Sequence, residues 1–328
     1  MGRRIGANDD ARGASESAKR ERRSRAWPVL IAIAALSLAG VLLYRTLSRY
    51  NLDQLVTSVT AIPLARLLMA GGFAAASYLC LTGFDYLALR YAGRPLPYRK
   101  AALASFTSLS LGHNIGVAFL SSGAVRYRFY TRWGLGPGQV VKVILFCGMT
   151  VGLGLSILGG VALLIRSELA QEITGLGRPL VLALGGLCLG LPGLYLLLAA
   201  VVRGPLTVRK FSLELPALRL ALAQIVIGPL NFACVAACLH QALAAVADVA
   251  YLGVASVYVI ANTTAILSHV PGGLGVIESV VMYLLPNADL IGSLLVFRFV
   301  YFLVPLGLGG TLLGVSEIVS RGRGPGVA

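Results

Sequence analysis

The sequence predicts an all-α, polytopic helical membrane protein with about six full spans and two re-entrant helical hairpins. The two hairpins carry the marks of an inverted repeat. Of the 328 residues, 57% are hydrophobic and only 12% are charged, against about 25% charged in a soluble domain. The apolar runs reach the length of about 20 residues that crosses a bilayer as a helix, and they lack the alternation of an outer-membrane barrel. Two further runs are broken by Gly, Pro or polar residues, and the positions of the basic residues argue against either of them crossing outright.

Residues 1–26 hold eight Lys/Arg and four acids among Gly, Ser and Ala, a composition that predicts a disordered, basic cytoplasmic tail. Trp27 to Leu47 follows without a small-residue cleavage site and reads as a first span rather than a cleaved signal. A second span runs from Pro63 to Leu89, with Asp85 expected as a helix-end residue near the cytoplasmic interface. Ala101 to Ser122 is rich in Ser and Thr and carries the break Gly112-His113-Asn114-Ile115-Gly116. Spans are expected over 139–165, 179–202 and 220–243. Tyr251 to Leu285 holds a second break, and Leu290 to Val319 is the last span, with Arg298 inside it. The membrane domain thus covers 27–320, and 321–328 is a short cytoplasmic tail.

Basic residues set the orientation. If 101–122 and 251–285 each enter and leave on one side, all Lys/Arg except Arg45, Arg49, Arg66, Arg166, Arg178 and Arg298 fall on the cytoplasmic side. If 101–122 crosses instead, Arg126, Arg128 and Arg132 land outside. The rule therefore favours two hairpins of opposite orientation in a bacterial inner membrane, with both termini cytoplasmic. A faint repetition agrees: Tyr98 precedes His113 across a small, Ser/Thr-rich stretch much as Tyr251 precedes His269. Opposed hairpins of this kind place a transporter's site where the repeats meet.

The second break is His269-Val270-Pro271-Gly272-Gly273-Leu274-Gly275-Val276-Ile277-Glu278-Ser279. Gly costs about 1 kcal/mol and Pro about 3 kcal/mol in a helix interior relative to Ala. Broken backbone at bilayer depth survives where protein buries it or a watery cavity solvates it. An extramembrane loop is the alternative for this stretch. Intramembrane ionisable residues are candidates for function, which draws in His269, Glu278 and Arg298. Arg298 needs an acidic or phosphate partner, and Glu278 is the internal candidate. Tyr301 lies one turn further on. At the first break, His113 and Asn114 are candidates, and Arg126 and Arg128 after it offer guanidinium forks suited to phosphate.

The net charge of +15 reads as a basic face toward anionic lipid, not nucleic acid. Cys80, Cys147, Cys188, Cys234 and Cys238 all lie in apolar runs and read as small buried residues. No zinc, P-loop, dinucleotide or nucleophile-elbow pattern is present, so neither a metal nor another cofactor is expected.

Four segments together resemble a known family: Gly112-His113-Asn114 with Gly116, Ser122-Gly123-Ala124-Val125-Arg126-Tyr127-Arg128, Pro271-Gly272-Gly273-Leu274-Gly275-Val276 with Glu278, and Arg298 with Tyr301 and Pro305. They look like the lysylphosphatidylglycerol synthase transmembrane region, the flippase-type membrane domain of the multiple peptide resistance factor. The resemblance covers about 28–320 and implies translocation of phospholipid, anionic or aminoacylated, between leaflets. It carries Arg126, Gly272, Gly273, Glu278, Arg298 and Tyr301 as substrate-binding positions. The family's separate transferase domain is not expected in this chain, so no catalytic residue is assigned. Two alternatives stay open. One is a membrane subunit or anchor of a lipid-modifying enzyme such as an aminoacyl-phosphatidylglycerol synthase. The other is a small-solute transporter. A homo-oligomer or a separate transferase subunit would be the further partners.

Overall fold

The computed structural model describes residues 56–57, 60–115, 118–202, 204–208, 211–285 and 290–322. The expected tail 1–26, the first span 27–47, Gly116, Arg203, Arg209, Lys210 and residues 323–328 lie outside the described residues.

Helix α1 (Leu64–Tyr91) follows Pro63 and ends at Ala92, before Gly93 with φ +72°. Helices α2 (Tyr98–Ile115) and α3 (Ala118–Arg132) fold back on one another as a first hairpin. Helix α4 (Pro137–Ile165) has Pro at its first position, where the missing N–H costs nothing, and Gln139 accepts the Gly136 N–H at 3.0 Å. The short α5 (Ser167–Thr174) ends on left-handed Gly175, and α6 (Arg178–Val201) returns. The connection to α7 (Leu218–Leu243) contains a two-stranded antiparallel ribbon, β1 (Pro205–Val208) and β2 (Phe211–Glu214), with Val208 opposite Phe211. Nothing in the apolar patterning foretold this ribbon.

The second hairpin consists of α8 (Tyr251–Ser268), a single 3-10 turn at Pro271–Gly273, and α9 (Val276–Leu284). The last rod runs through α10 (Ile291–Arg298), a π-helical turn at Phe299–Leu303 and α11 (Val304–Gly322). Among the described residues six segments are long and apolar enough to cross a membrane, α8 included. The other five are the spans the sequence predicts after residue 47. Helix α8 has the length of a span, yet α9 packs back against it at a sharp break.

Side-chain contacts sort the two ends of the bundle. At one end Tyr91 donates to the Glu214 carbonyl at 2.5 Å, Lys142 pairs with Glu214 at 2.6 Å, and Lys100 lies over the Trp133 ring. At the other, Arg66 donates to Gln241 and the His240 ring meets the Val249 carbonyl at 3.0 Å. The first hairpin therefore enters from the basic end and the second from the opposite end.

Lipid tails are as apolar as Leu, so membrane helices associate through close packing and hydrogen bonds. At the α4–α7 crossing, a Cβ on Gly154 would stand 2.7 Å from the Gly228 carbonyl carbon. Beside it the Gln224 amide donates to Thr150 Oγ1 at 2.8 Å and to the Phe146 carbonyl at 3.1 Å, while Tyr195 donates to Gln224. The Ser/Thr face of α2 is wholly buried: Ser105, Thr107, Ser108 and Ser110 are fully enclosed, and Ser105 donates to the Leu81 carbonyl at 2.9 Å. These hydroxyls make α2 thin enough for α1 and α11 to close over it.

Candidate functional site: a cavity between two opposed hairpin tips

The tips of the hairpins meet in the middle of the bundle. Residue 272 needs the left-handed backbone (φ +62°) that glycine adopts freely, and a Cβ there would stand 3.5 Å from the His113 carbonyl and 3.8 Å from Asn114 Cα. Gly273 shares the left-handed conformation at φ +57°. With both residues turned this way, their carbonyls point to one acceptor site, and Arg298 fills it.

Arg298 is 3% exposed and makes four hydrogen bonds. Nε reaches Glu278 Oε1 at 2.5 Å and Nη2 reaches Oε2 at 2.9 Å. Nη1 donates to the Gly272 carbonyl, and Nη2 also donates to the Gly273 carbonyl at 2.7 Å. Glu278 Oε2 in turn accepts the Gly275 N–H at 2.9 Å, capping α9. One face of the guanidinium lies 4.8 Å from the Phe302 ring centroid. The π-helical turn begins at the next residue; π-turns inside α-helices recur at functional sites.

A second buried network anchors the first hairpin. Arg126 donates from Nε to Asp85 Oδ1 at 2.9 Å, from Nη2 to Oδ2 at 2.8 Å and from Nη1 to Ser122 Oγ at 3.1 Å. Tyr130 donates to the same Asp85 at 2.6 Å. Asp85 is therefore no interfacial helix-end residue: it is fully buried inside α1. No spacing along the chain marks it, because its partner lies on another element. Arg126 is likewise buried. Arg128 is engaged as well, pairing with Glu317 at 2.6 Å alongside Arg132 at 2.7 Å. Glu317 was missed in the sequence, although an acid near the basic end of a span is a cue worth following.

Between the two networks lies a cavity of about 350 Å³. His113, Arg126, Gly272, Gly273 and Tyr301 all border it, together with Asn262 of α8. Tyr301 shares a hydrogen bond of 3.0 Å with Ser77, which donates to Asn231. Among the described residues, His113 Nδ1 is buried without a hydrogen-bond partner. Asn114 is buried and donates to the Ser110 carbonyl at 2.9 Å, which holds the tip of α2. Glu278 and Arg298 stand behind the glycine turn. His269 is elsewhere: it caps α8 in a left-handed conformation, exposed, with its ring nitrogen against the Leu267 carbonyl at 2.8 Å. The structure thus gathers His113, Arg126, both glycines and Tyr301 at one cavity, and leaves His269 and Arg128 outside it.

Fold and site together define a polytopic helical membrane protein whose two opposed hairpins meet over a central, partly polar cavity. Among curated proteins the chain is similar to the uncharacterized protein slr0712 of Synechocystis sp., at 28% identity over 281 residues, 84% of this chain and 87% of that one. It is also similar to the inner membrane protein YbhN of Escherichia coli, at 28% identity over 257 residues, 73% of this chain and 76% of that one. No family model matches the chain.

Proposed function

We propose that the protein sits in the bacterial inner membrane with its basic end toward the cytoplasm, and that it moves phospholipid headgroups between leaflets. The observation that carries this reading is the cavity at the meeting of the two hairpin tips. It offers a guanidinium edge from Arg126, an unpartnered His113 nitrogen and a phenol from Tyr301, with Ser122, Asn231 and Asn262 as the further polar groups in mostly apolar walls. A phosphate is met by the first two, and the glyceride stem by the walls. The resemblance of these segments to the lysylphosphatidylglycerol synthase transmembrane region supports the choice of an anionic or aminoacylated phospholipid. The Escherichia coli relative, by its name an inner membrane protein, supports the compartment.

A headgroup fits this cavity better than a free ion does. Its two cationic neighbours are already held by Asp85 and Glu278, so the site presents modest polarity over a long apolar wall.

Purified protein in liposomes carrying fluorescent phospholipid is expected to exchange label between leaflets faster than empty vesicles. Gly148 lines the cavity and is exposed, and neither ion pair includes it, so Gly148→Leu narrows the opening and is expected to suppress exchange. Equal exchange by protein-containing and empty vesicles for every headgroup tried sinks the proposal. An altered lipid inventory in producing cells would instead favour the lipid-modifying reading.

A further inference from the structure

A second cavity, of about 440 Å³, continues along the α4–α8 seam toward the less basic end. Leu155, Gly159 and Ala162 of α4 form one wall, and Ser256, Val259 and Thr263 of α8 face them. On α4 these positions succeed Cys147 and Val151, which border the central cavity. Thr263 and Thr264 are exposed, so the space is a groove with an open flank beside the hairpin.

Arg166 stands at the far end of this groove. It is the first residue after α4 and is exposed, and its Nη2 lies 3.8 Å from where a Cβ on Gly253 would stand, against the first turn of α8. Among the described residues Arg166 makes no ion pair. The neighbouring acid Glu168 is exposed and does not line the groove. From Leu155 to Arg166 the helix rises about 16 Å, roughly half of a 30 Å hydrocarbon core and so the depth of one leaflet.

We propose that this groove is a binding site for an anionic phospholipid of the leaflet at the less basic end. Its phosphate sits on Arg166 and one acyl chain lies along the α4–α8 seam. The match is one of charge and length together. A guanidinium pairs with phosphate oxygens through two parallel N–H donors, and the groove below it is mostly apolar for the depth of a leaflet, its Ser156 and Ser256 hydroxyls being tied to backbone carbonyls. This end of the bundle otherwise has few basic residues, so the site is local and not part of a broad cationic face. The site stands whether or not the central cavity moves lipid.

Native mass spectrometry of the full chain, with phosphatidylglycerol and phosphatidylethanolamine offered at equal concentration, tests it. The wild-type protein is expected to retain phosphatidylglycerol preferentially. Arg166→Gln is expected to weaken that retention about fivefold, the worth of one basic residue at a membrane surface. Arg178→Gln removes an exposed charge at the same end but outside the groove, and is expected to change nothing. Gly159→Leu fills the groove, where a Cβ already meets Val259 at 3.6 Å, and is expected to reduce retention of both lipids. Equal retention of the two lipids by the wild type, or equal loss in the two Arg variants, overturns the site. Because Gly148→Leu acts on exchange and Arg166→Gln on retention, failure of one proposal is readable apart from failure of the other.

Discussion

Arg298 and Glu278, on different elements, form a two-point ion pair in the protein interior, at 2.5 Å and 2.9 Å. The pair joins the returning limb of the second hairpin to the last rod. The same guanidinium also gathers the Gly272 and Gly273 carbonyls, groups that a helix would have satisfied internally. A single side chain thus resolves the backbone problem created by the break.

Breaking this pair from one side is expected to be costly. Removing one partner of a buried pair leaves an uncompensated charge, a loss of about 3–5 kcal/mol. Glu278→Ala should therefore lower the thermal midpoint of the detergent-solubilised protein strongly. Arg298→Lys should be nearly as damaging, since an ammonium cannot span a carboxylate and two carbonyls in a fixed fork. The double replacement Glu278→Leu with Arg298→Met should recover part of the loss. A Glu278→Ala protein as stable as the wild type would show that the pair contributes nothing to holding the hairpin.

Two left-handed glycines, one ending α5 and one at the hairpin tip, separate conformational from steric requirements. Gly175 and Gly273 both have positive φ, +68° and +57°. A Cβ at Gly175 meets open space, whereas at Gly273 it stands 2.8 Å from Ala265 Cβ. Gly175→Ala should cost about 1–2 kcal/mol for the left-handed backbone alone. Gly273→Ala should add the about 1–3 kcal/mol of overpacking. Thermal midpoints of the two variants measure the difference, and equal values would mean that the hairpin tip yields freely.

Much of this was legible in the sequence where the signal is local. Span lengths, the two breaks and their opposed entry follow from apolar run length and the placement of Lys and Arg. Arg298 announced its need for a partner because an Arg deep in a span has no solvent to fall back on. What stayed hidden depends on contacts between distant elements. Asp85 looked interfacial because it lies near the end of its run, yet Arg126 of the first hairpin, 41 residues away in sequence, holds it. The partner of Arg128 is hidden for the same reason, since Glu317 lies at the far end of the chain. His113 and His269 looked equivalent at matching breaks, and only the fold shows one at the cavity and the other capping a helix.

Close helix crossings give a prediction independent of the site. A Cβ on Gly154 would stand 2.7 Å from backbone of α7, and one on Gly228 would stand 2.7 Å from the Thr150 carbonyl oxygen. Backbone cannot rotate away as a side chain can. Gly154→Ala is therefore expected to push α4 and α7 apart, at about 1–3 kcal/mol. Gly152→Ala, two residues along the same helix with nothing near its Cβ, should be close to neutral. Unfolding of the two proteins in the same detergent distinguishes them, and similar destabilisation by both would point to a general intolerance of α4 to substitution.

The orientation can be tested at two exposed positions on opposite ends. Gly138 lies at the start of α4 near the ribbon, and a side chain there meets nothing within 4 Å. Val246 lies in the turn after α7, beside the entry to the second hairpin. The basic residues near Gly138 include Arg94, Lys100, Arg132 and Lys142, and cationic loops stay on the cytoplasmic side. With the native cysteines replaced, Val246→Cys should react with a membrane-impermeant maleimide on intact spheroplasts, and Gly138→Cys only after lysis. Labelling of Gly138→Cys from outside would invert the whole bundle. Arg126 would then serve the outer leaflet and Arg166 the inner one, and the direction of any headgroup path between them would have to be reversed.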